Sequence, residues 1–372
     1  MNWKRFNLVC LTIFALVVNI NATNLQEFTK EMEETFTVAE GSKLQIVNKY
    51  GNIHLDTWNK NEVNIAVTIK VKTSSQSKAD QIFEIINISL GKEGNKTYGI
   101  TELNEHNNNS GWWDRLFSSY ESGNYEIIYK VKFPASIQLD ITNKYGHIYH
   151  NNPTTGDVEI ENKYGNIYAA DIEGDLEIDL GYGDAKLGNA HNVKMDVKYS
   201  NIKLGDAKNV VLDTKYSEIE IGHVLRVRSS SKYDEYTIAS AESLENEGKY
   251  DDFRIGSLGS LEVDAKYSTL KIDQITRSAE MIGKHNTLQV KDIANSTDKI
   301  YVEGEYVSVK IKMPASFELD LAGEYLSPKI PVKLSGGSYI KDDEDIEISG
   351  TYGSGNTYIK ARMEYGSFKM LD

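Results

Sequence analysis

Cysteine is all but missing from this chain. The single one, Cys10, lies in an apolar run near the N-terminus, so neither an intrachain disulfide framework nor a cysteine-ligated metal centre is available. Proline is scarce, with five residues in 372, and leaves long stretches free to pair as strands. No apolar stripe of helical period separates the repeated segments described below, which excludes strand–helix crossover units. Positive charge is in deficit: 41 Lys and Arg stand against 55 Asp and Glu, a formal charge of -14. That balance argues against nucleic-acid binding and supplies no polybasic membrane surface. Beyond the N-terminus no stretch approaches a membrane-spanning helix.

What is abundant is tyrosine, 23 residues against 10 phenylalanines, and it is periodic. Tyr145, Tyr164, Tyr182, Tyr199, Tyr216, Tyr233, Tyr250 and Tyr267 follow one another at steps of 19, 18, 17, 17, 17, 17 and 17 residues. A fixed period marks a repeat architecture. In the copy at Tyr199, residues Val193, Met195, Val197 and Tyr199 alternate with polar positions, the period of a strand with one dry face. Ile202 and Leu204 resume the alternation after Ser200-Asn201. The phase slips there, which demands a corner. Gly146, Gly165 and Gly183 take the position after the tyrosine in other copies and suit a tight bend.

Each copy is therefore two or three short strands joined by corners. The pattern predicts an all-β chain, a single-stranded parallel β-helix with coils of about 17–20 residues, in which equivalent residues stack in columns about 4.8 Å apart. An antiparallel β-solenoid, sandwich or barrel is the competing arrangement. In the parallel form the tyrosine is in phase with interior residues and is expected at an inner corner. Lysine precedes it at Lys144, Lys163, Lys198, Lys215, Lys232, Lys249 and Lys266. Carboxylates two places earlier, such as Asp196, Asp213 and Asp264, would offset the repulsion of a lysine column.

Residues 1–22 read as a secretory signal peptide: Lys4 and Arg5, the apolar run Phe6 to Ile20, then Ala22 at a cleavage site. Removing it takes two positive charges from -14 and leaves -16. Residues 23–125 are expected to form a β-rich N-terminal cap module. It holds a first repeat at Tyr50, a short helix or leader at Glu27 to Glu34, and alternating strands at Val63 to Val71 and Tyr125 to Phe133. The regular β-helix should run over 126–305, and less regular coils over 306–372, where Tyr325, Tyr352 and Tyr365 continue the series unevenly. Lys132-Phe-Pro-Ala-Ser-Ile-Gln-Leu-Asp140 matches Lys312-Met-Pro-Ala-Ser-Phe-Glu-Leu-Asp320 at an offset of 180 residues. Both prolines are expected at corners or strand starts. Lys341-Asp-Asp-Glu-Asp345 is expected to be a solvated turn.

Chemistry-bearing motifs are few. No HExxH, phosphate loop or dinucleotide fingerprint is visible, and no cofactor is implied. Seven histidines form no tight metal-ligand set, and His285 stands where a tyrosine is due. A polysaccharide lyase or glycoside hydrolase would need carboxylates and a base on neighbouring coils beside a cleft. Asp179, Asp196 and Asp213 form an acid column, but short uniform coils leave little material for a cleft. No residue is assigned a catalytic role. Trp112, Trp113 and Arg115, beside the run Asn107 to Asn109, are the candidates for binding a ligand. A cap over the solenoid end is their structural alternative.

Asn143-Lys-Tyr-Gly-His-Ile148, Asn162-Lys-Tyr-Gly-Asn-Ile167, the Trp112-Trp113 insertion and the Val131-Lys-Phe-Pro134 lead-in resemble the adhesin-like family of exported β-solenoid proteins common in Bacteroidota. Glu305-Tyr306 and Glu324-Tyr325 depart from its lysine–tyrosine pattern. The resemblance implies a non-catalytic protein of the periplasm or outer cell surface of a Gram-negative bacterium, contacting an envelope protein or a glycan. A scaffold without a specific ligand is the alternative. The family carries no agreed catalytic residues to transfer.

Overall fold

The computed structural model describes residues 25–103 and 125–372. The chain divides into two compact units, 1–187 and 188–372. Each is a parallel β-solenoid.

In the first unit, β2 (Lys43–Val47), β8 (Gln138–Tyr145), β10 (Val158–Tyr164) and the first half of β12 (Leu176–Leu187) stack in parallel on one face. On the other face lie β3 (Ile53–Trp58), β9 (Ile148–His150), β11 (Ile167–Ala169) and the second half of β12. Register places like on like. Leu44, Leu139, Val158 and Leu176 form one buried column, and Ile46, Ile141, Ile160 and Ile178 the next. Burying each such side chain contributes about 1.5–3 kcal/mol.

Tyr50 is bridged directly to Tyr145. Five elements between them in the chain build the end of the unit: β4 (Glu62–Thr73), α1 (Gln76–Ile85), β5 (Ile86–Glu93), β6 (Lys96–Leu103) and β7 (Tyr125–Pro134). β6 and β7 add a coil in parallel below β2 and β3. Its open edge is covered by antiparallel strands, β5 on β6, β4 on β7, and β1 (Gln26–Thr37) on β4. The segment expected as a short helix or leader at 27–34 is thus strand β1. The donors and acceptors offered by β4 override the weak local preference. Its Lys30, Glu31, Glu33 and Glu34 suit an exposed edge.

In the second unit the strands are β13 (Ala190–Lys198), β14 (Ser200–Leu204), β15 (Ala207–Lys215), β16 (Glu218–Lys232), β17 (Glu235–Lys249), β18 (Asp252–Lys266), β19 (Thr269–Lys284), β20 (Thr287–Ile293), β21 (Lys299–Glu305) and β22 (Ser308–Lys312). Successive coils pair in parallel, and Val193, Val210, Val227, Leu244 and Leu261 lie rung on rung. The chain then leaves sequence order. β23 (Phe317–Glu324) and β24 (Ser327–Lys329) form the outermost coil. β23 is covered by antiparallel β26 (Asp345–Tyr352), itself paired with β25 (Tyr339–Asp342). Residues 343–344 turn between β25 and β26, so the acidic run is a turn as expected. Finally β27 (Thr357–Glu364) enters between β21 and β23, and β28 (Ser367–Leu371) between β22 and β24.

The two Pro-Ala-Ser segments now have a structural meaning. From β7 to β8, and from β22 to β23, the chain climbs two rungs instead of one, because another coil fills the rung between. Pro134 closes β7 and Pro314 lies between β22 and β23, where no ladder donor is needed. Tyr352 does not continue the tyrosine series, because its ring tilts against Phe317.

Deleting residues 356–372 empties a rung. It removes the buried Ile359, Met363, Phe368 and Met370, a loss on the order of 10 kcal/mol. Hydrogen exchange should show β23 to β26 unprotected, with β16 to β18 still protected, since stability in a solenoid is local. Full protection of β23 in the truncated chain would contradict the inserted-rung topology.

Candidate site at the tyrosine corner

The repeated tyrosines form ring ladders on the outside of both units. In the first, Tyr50, Tyr145, Tyr164 and Tyr182 stack at 5.0–5.2 Å. In the second, the order is Tyr199, Tyr216, Tyr233, Tyr250, Tyr267, His285, Tyr306, Tyr365 and Tyr325, at 4.5–5.1 Å. His285 is thus a degenerate copy that keeps the ring. The tyrosines of this second ladder are 40–49% exposed, so the expected inner-corner placement is corrected. Each aromatic residue of the ladder has φ between +50° and +64°. That left-handed turn throws lysine and tyrosine outward together and points the following residue inward. The phase slip falls at the tyrosine itself.

Two corner designs result. In the first unit the glycine after the tyrosine takes positive φ, as at Gly146 and Gly165. A Cβ on Gly165 would stand 2.1 Å from the Gly146 carbonyl oxygen. In the second unit the tyrosine bears the left-handed geometry, at about 1–2 kcal/mol. Its backbone N–H continues the rung ladder, as from Tyr216 to the Lys232 carbonyl at 3.1 Å. The residue after it closes the corner from inside. Ser217 N–H donates to Asp234 Oδ1 at 2.7 Å, Asp234 N–H to Asp251 Oδ1 at 3.0 Å, and Asp251 N–H to Ser268 Oγ at 3.2 Å.

Asp234 and Asp251 are buried, 4% and 3% exposed, on successive coils. Asp234 also accepts from Thr214 Oγ1 at 2.8 Å, and Asp251 from Ser231 Oγ at 2.8 Å. Thr214 in turn bonds the buried Tyr236 hydroxyl. Gly248 makes room, since a methyl there would come within 3 Å of oxygens of Asp251, Ser231 and Asn246. Burial pushes the Asp251 carboxyl up to about 6 and raises Asp234 too. In the first unit, His150 is buried with neither ring nitrogen hydrogen-bonded, and burial pushes it down to about 4.

Beside the second ladder runs an open groove. Tyr216, Tyr233, Tyr250 and Tyr267 form one wall, and Glu218, Glu235, Asp252 and Thr269 the other. The floor is the inward-turned Ser217, Asp234 and Asp251. Arg254 ties the second wall together by pairing with Glu235 and approaching Asp252 at 3.9 Å. On the far side, Lys215 and Lys232 hold their ammonium groups 5.4 Å from the ring centroids of Tyr216 and Tyr233. Because each ring covers the face of its neighbour, the ladder offers water its edges and hydroxyls rather than its π faces.

Of the residues singled out in the sequence, all eight repeat tyrosines stand in these ladders. Trp112, Trp113 and Arg115 lie outside the described residues, between β6 and β7. Missed were the second ladder of His54, Tyr149 and Tyr168, stacked at 4.8 and 5.3 Å, and the inward column that includes Asp234. The first recurs four residues after each tyrosine, the second one residue after, so the period itself held both signals. Among the described residues, no group of three or more His, Cys, Asp or Glu could hold a metal ion. No described helix is long and apolar enough to cross a membrane.

No family model matches the chain and no curated protein matches it. Among solved structures, it is similar to a "putative cell adhesion protein" from Clostridium sporogenes ATCC 15579, at 10% identity, 92% of this chain and 99% of that one, TM-score 0.18. It is similar to a "putative adhesin" from Parabacteroides distasonis ATCC 8503, at 13% identity, 92% and 97% coverage, TM-score 0.25. A "putative lipid binding protein" from the same organism aligns at 12% identity, 92% and 97% coverage, TM-score 0.22.

Two outcomes follow from the corner. Alanine normally outperforms glycine in a strand, but at Tyr233 the order should invert, with Tyr233→Gly more stable than Tyr233→Ala by about 1 kcal/mol in denaturant melts. The reverse order would sink the left-handed corner. The second concerns pH. Asp251 holds its proton more tightly folded than unfolded, so it costs the second unit stability as pH rises from its ordinary 3.8 through about 6. His150 binds its proton less tightly folded, so the first unit loses stability as pH falls from 6.5 toward about 4. Hydrogen exchange resolved by unit should show these opposite slopes. Asp251→Asn should flatten the first and His150→Leu the second. Slopes unchanged in the variants would assign the pH dependence to other groups.

Proposed function

We propose that the chain is a non-catalytic exported protein of the cell envelope or surface, adhesin-like in its mode of action, holding a protein or glycan along its tyrosine corners. The observation that carries this reading is the open groove at Tyr216 to Tyr267. Four phenol edges stand there on successive rungs, each fixed by a left-handed backbone and by stacked neighbours. Tyrosine offers an apolar body and a polar tip with little side-chain freedom to lose, the properties of a contact residue. Export is supported by the charged, apolar and small-residue order of residues 1–22 and by a remainder without cysteine.

Cleavage of a glycan is the competing chemistry, and Glu235, Asp252 and Arg254 on neighbouring coils are the groups it would use. Here the Arg254 guanidinium engages both carboxylates as an inter-coil tie, and the groove lies open to water instead of enclosing a substrate. The arrangement favours holding over cutting.

The test replaces Tyr216, Tyr233 and Tyr250 together by histidine, the ring the ladder already accepts at position 285. On an array of defined envelope glycans and surface proteins, the triple variant should lose binding by about tenfold or more while folding normally. A Trp112→Ala/Trp113→Ala variant, run alongside, tests the tryptophan pair separately. Unchanged binding by the tyrosine variant would overturn the groove, and new reducing ends released from any glycan would overturn the non-catalytic reading.

A further inference from the structure

We infer that the face formed by β22, β28 and β24 is a binding strip for an extended acidic polysaccharide, which names a ligand class for the binding role proposed above and rests on that role. Lys310 pairs in register with Lys369, and Lys369 with Lys329, so three lysines stand on successive rungs. Ser308, Ser367 and Ser327 form the neighbouring column in the same register, with the Ser308 and Ser367 hydroxyls 3.1 Å apart. Lys312 extends the strip beyond Lys310 on β22. Apart from Leu371, the outward side chains of these three strands are lysine or serine, and none is acidic.

The rest of the unit shows what this strip lacks. Rung register elsewhere sets opposite charges together, as in Lys203 with Glu220 and Arg228 with Glu245, and Lys271 reaches Asp252 diagonally at 3.8 Å. Where like charges follow one another they are offset. Glu245, Glu262 and Glu280 run between Arg228 and Lys299, which pair with the first and last of them. The longer lysine column, Lys198, Lys215, Lys232, Lys249, Lys266 and Lys284, has carboxylates two residues earlier on the same strands at Asp196, Asp213, Glu247 and Asp264. Its end members pair with Asp196 and Glu305, and Lys215 and Lys232 hold their ammonium groups 5.4 Å from ring centroids. Lys310, Lys329 and Lys369 form no ion pair among the described residues and lie over no ring. Like charges directly opposite destabilise a sheet, so the fold gains nothing from this column. In a chain of net charge -14, three lysines within about 10 Å act as one local field over a Debye length of about 8 Å.

The shape and chemistry of the strip select the ligand. A single line of cations along the coil axis fits a linear polymer. Leu371 is its single outward apolar residue, too little to anchor it in a bilayer. The adjoining ladder, Tyr306, Tyr365 and Tyr325, already has its ring faces stacked on one another, which denies the base stacking that single-stranded nucleic acid relies on. Serine hydroxyls can donate to carboxylate or sulfate oxygens and accept from sugar hydroxyls, so the strip offers both halves of an acidic sugar a partner.

The experiment measures binding of the full chain to polygalacturonate, dextran sulfate, neutral dextran and oligothymidylate at low and physiological ionic strength. Lys310→Gln/Lys329→Gln/Lys369→Gln is compared with Lys215→Gln/Lys232→Gln/Lys249→Gln, which removes equal charge from the other side of the ladder. The expected result is binding to an acidic glycan and not to neutral dextran, weakened about tenfold by the first triple and less than about twofold by the second. Equal loss in both variants, no binding to either acidic glycan, or oligothymidylate binding as tight as the glycans would each overturn the inference. Failure here with the groove variant still losing its partner would leave the groove reading standing. Loss of groove binding only in the Lys310, Lys329 and Lys369 variant would shift the partner to this strip.

Discussion

Everything in these two units depends on backbone hydrogen bonding between a residue and its equivalent one coil away. With rungs about 4.8 Å apart, every side chain meets a neighbour from the same position of the repeat. Inside, this makes columns of leucine, isoleucine and valine. Outside, it makes ladders of charge and of rings. The corner is where the constraint is hardest to meet, because the ladder must continue while the chain reverses side. A glycine at positive φ does this at Gly51, Gly146 and Gly165 in the first unit, and in the second a left-handed aromatic residue does it, backed by an inward Ser, Asp or Asn from Tyr199 to His285.

The second design explains a costly feature of the core. Two carboxylates are buried on successive coils because each accepts the backbone N–H that a left-handed corner leaves pointing inward. An unmade hydrogen bond there would cost as much as a poorly solvated acid. The carboxylates are therefore part of the fold, although a pair of stacked aspartates beneath a groove resembles the equipment of a glycan-cleaving enzyme. What remains for function is the outer surface: ring edges, the acidic wall beside them and the lysine strip.

A stack of coils also has two ends, each an unpaired edge that invites association. Both units treat one end in the same way. A coil from elsewhere in the sequence is clamped between two others, and antiparallel strands cover the last rung. The Pro-Ala-Ser corners are the points at which the chain climbs past the clamped coil. A 180-residue internal match with no evident purpose in the sequence is in this way the mark of a topological step.

The period of the tyrosines by itself pointed to the stacked β-solenoid, the coil length, the alternation of buried columns and the ladder residues from Tyr145 to Tyr267 with His285 after them, while Tyr352, which the uneven later steps included, stands outside the ladder. It did so because a repeat that pairs with itself must place like residues on like. Period cannot report which side of the backbone a corner residue faces, since one left-handed φ reverses it, and the tyrosines were accordingly placed inside. Nor can it report the order of coils at the ends, because Tyr50 meets Tyr145 across 95 residues and Tyr365 slips between Tyr306 and Tyr325. The lysine strip is a product of that second effect. Lys329 and Lys369 are 40 residues apart in the chain, and only the insertion of β28 between β22 and β24 brings them, with Lys310, onto consecutive rungs.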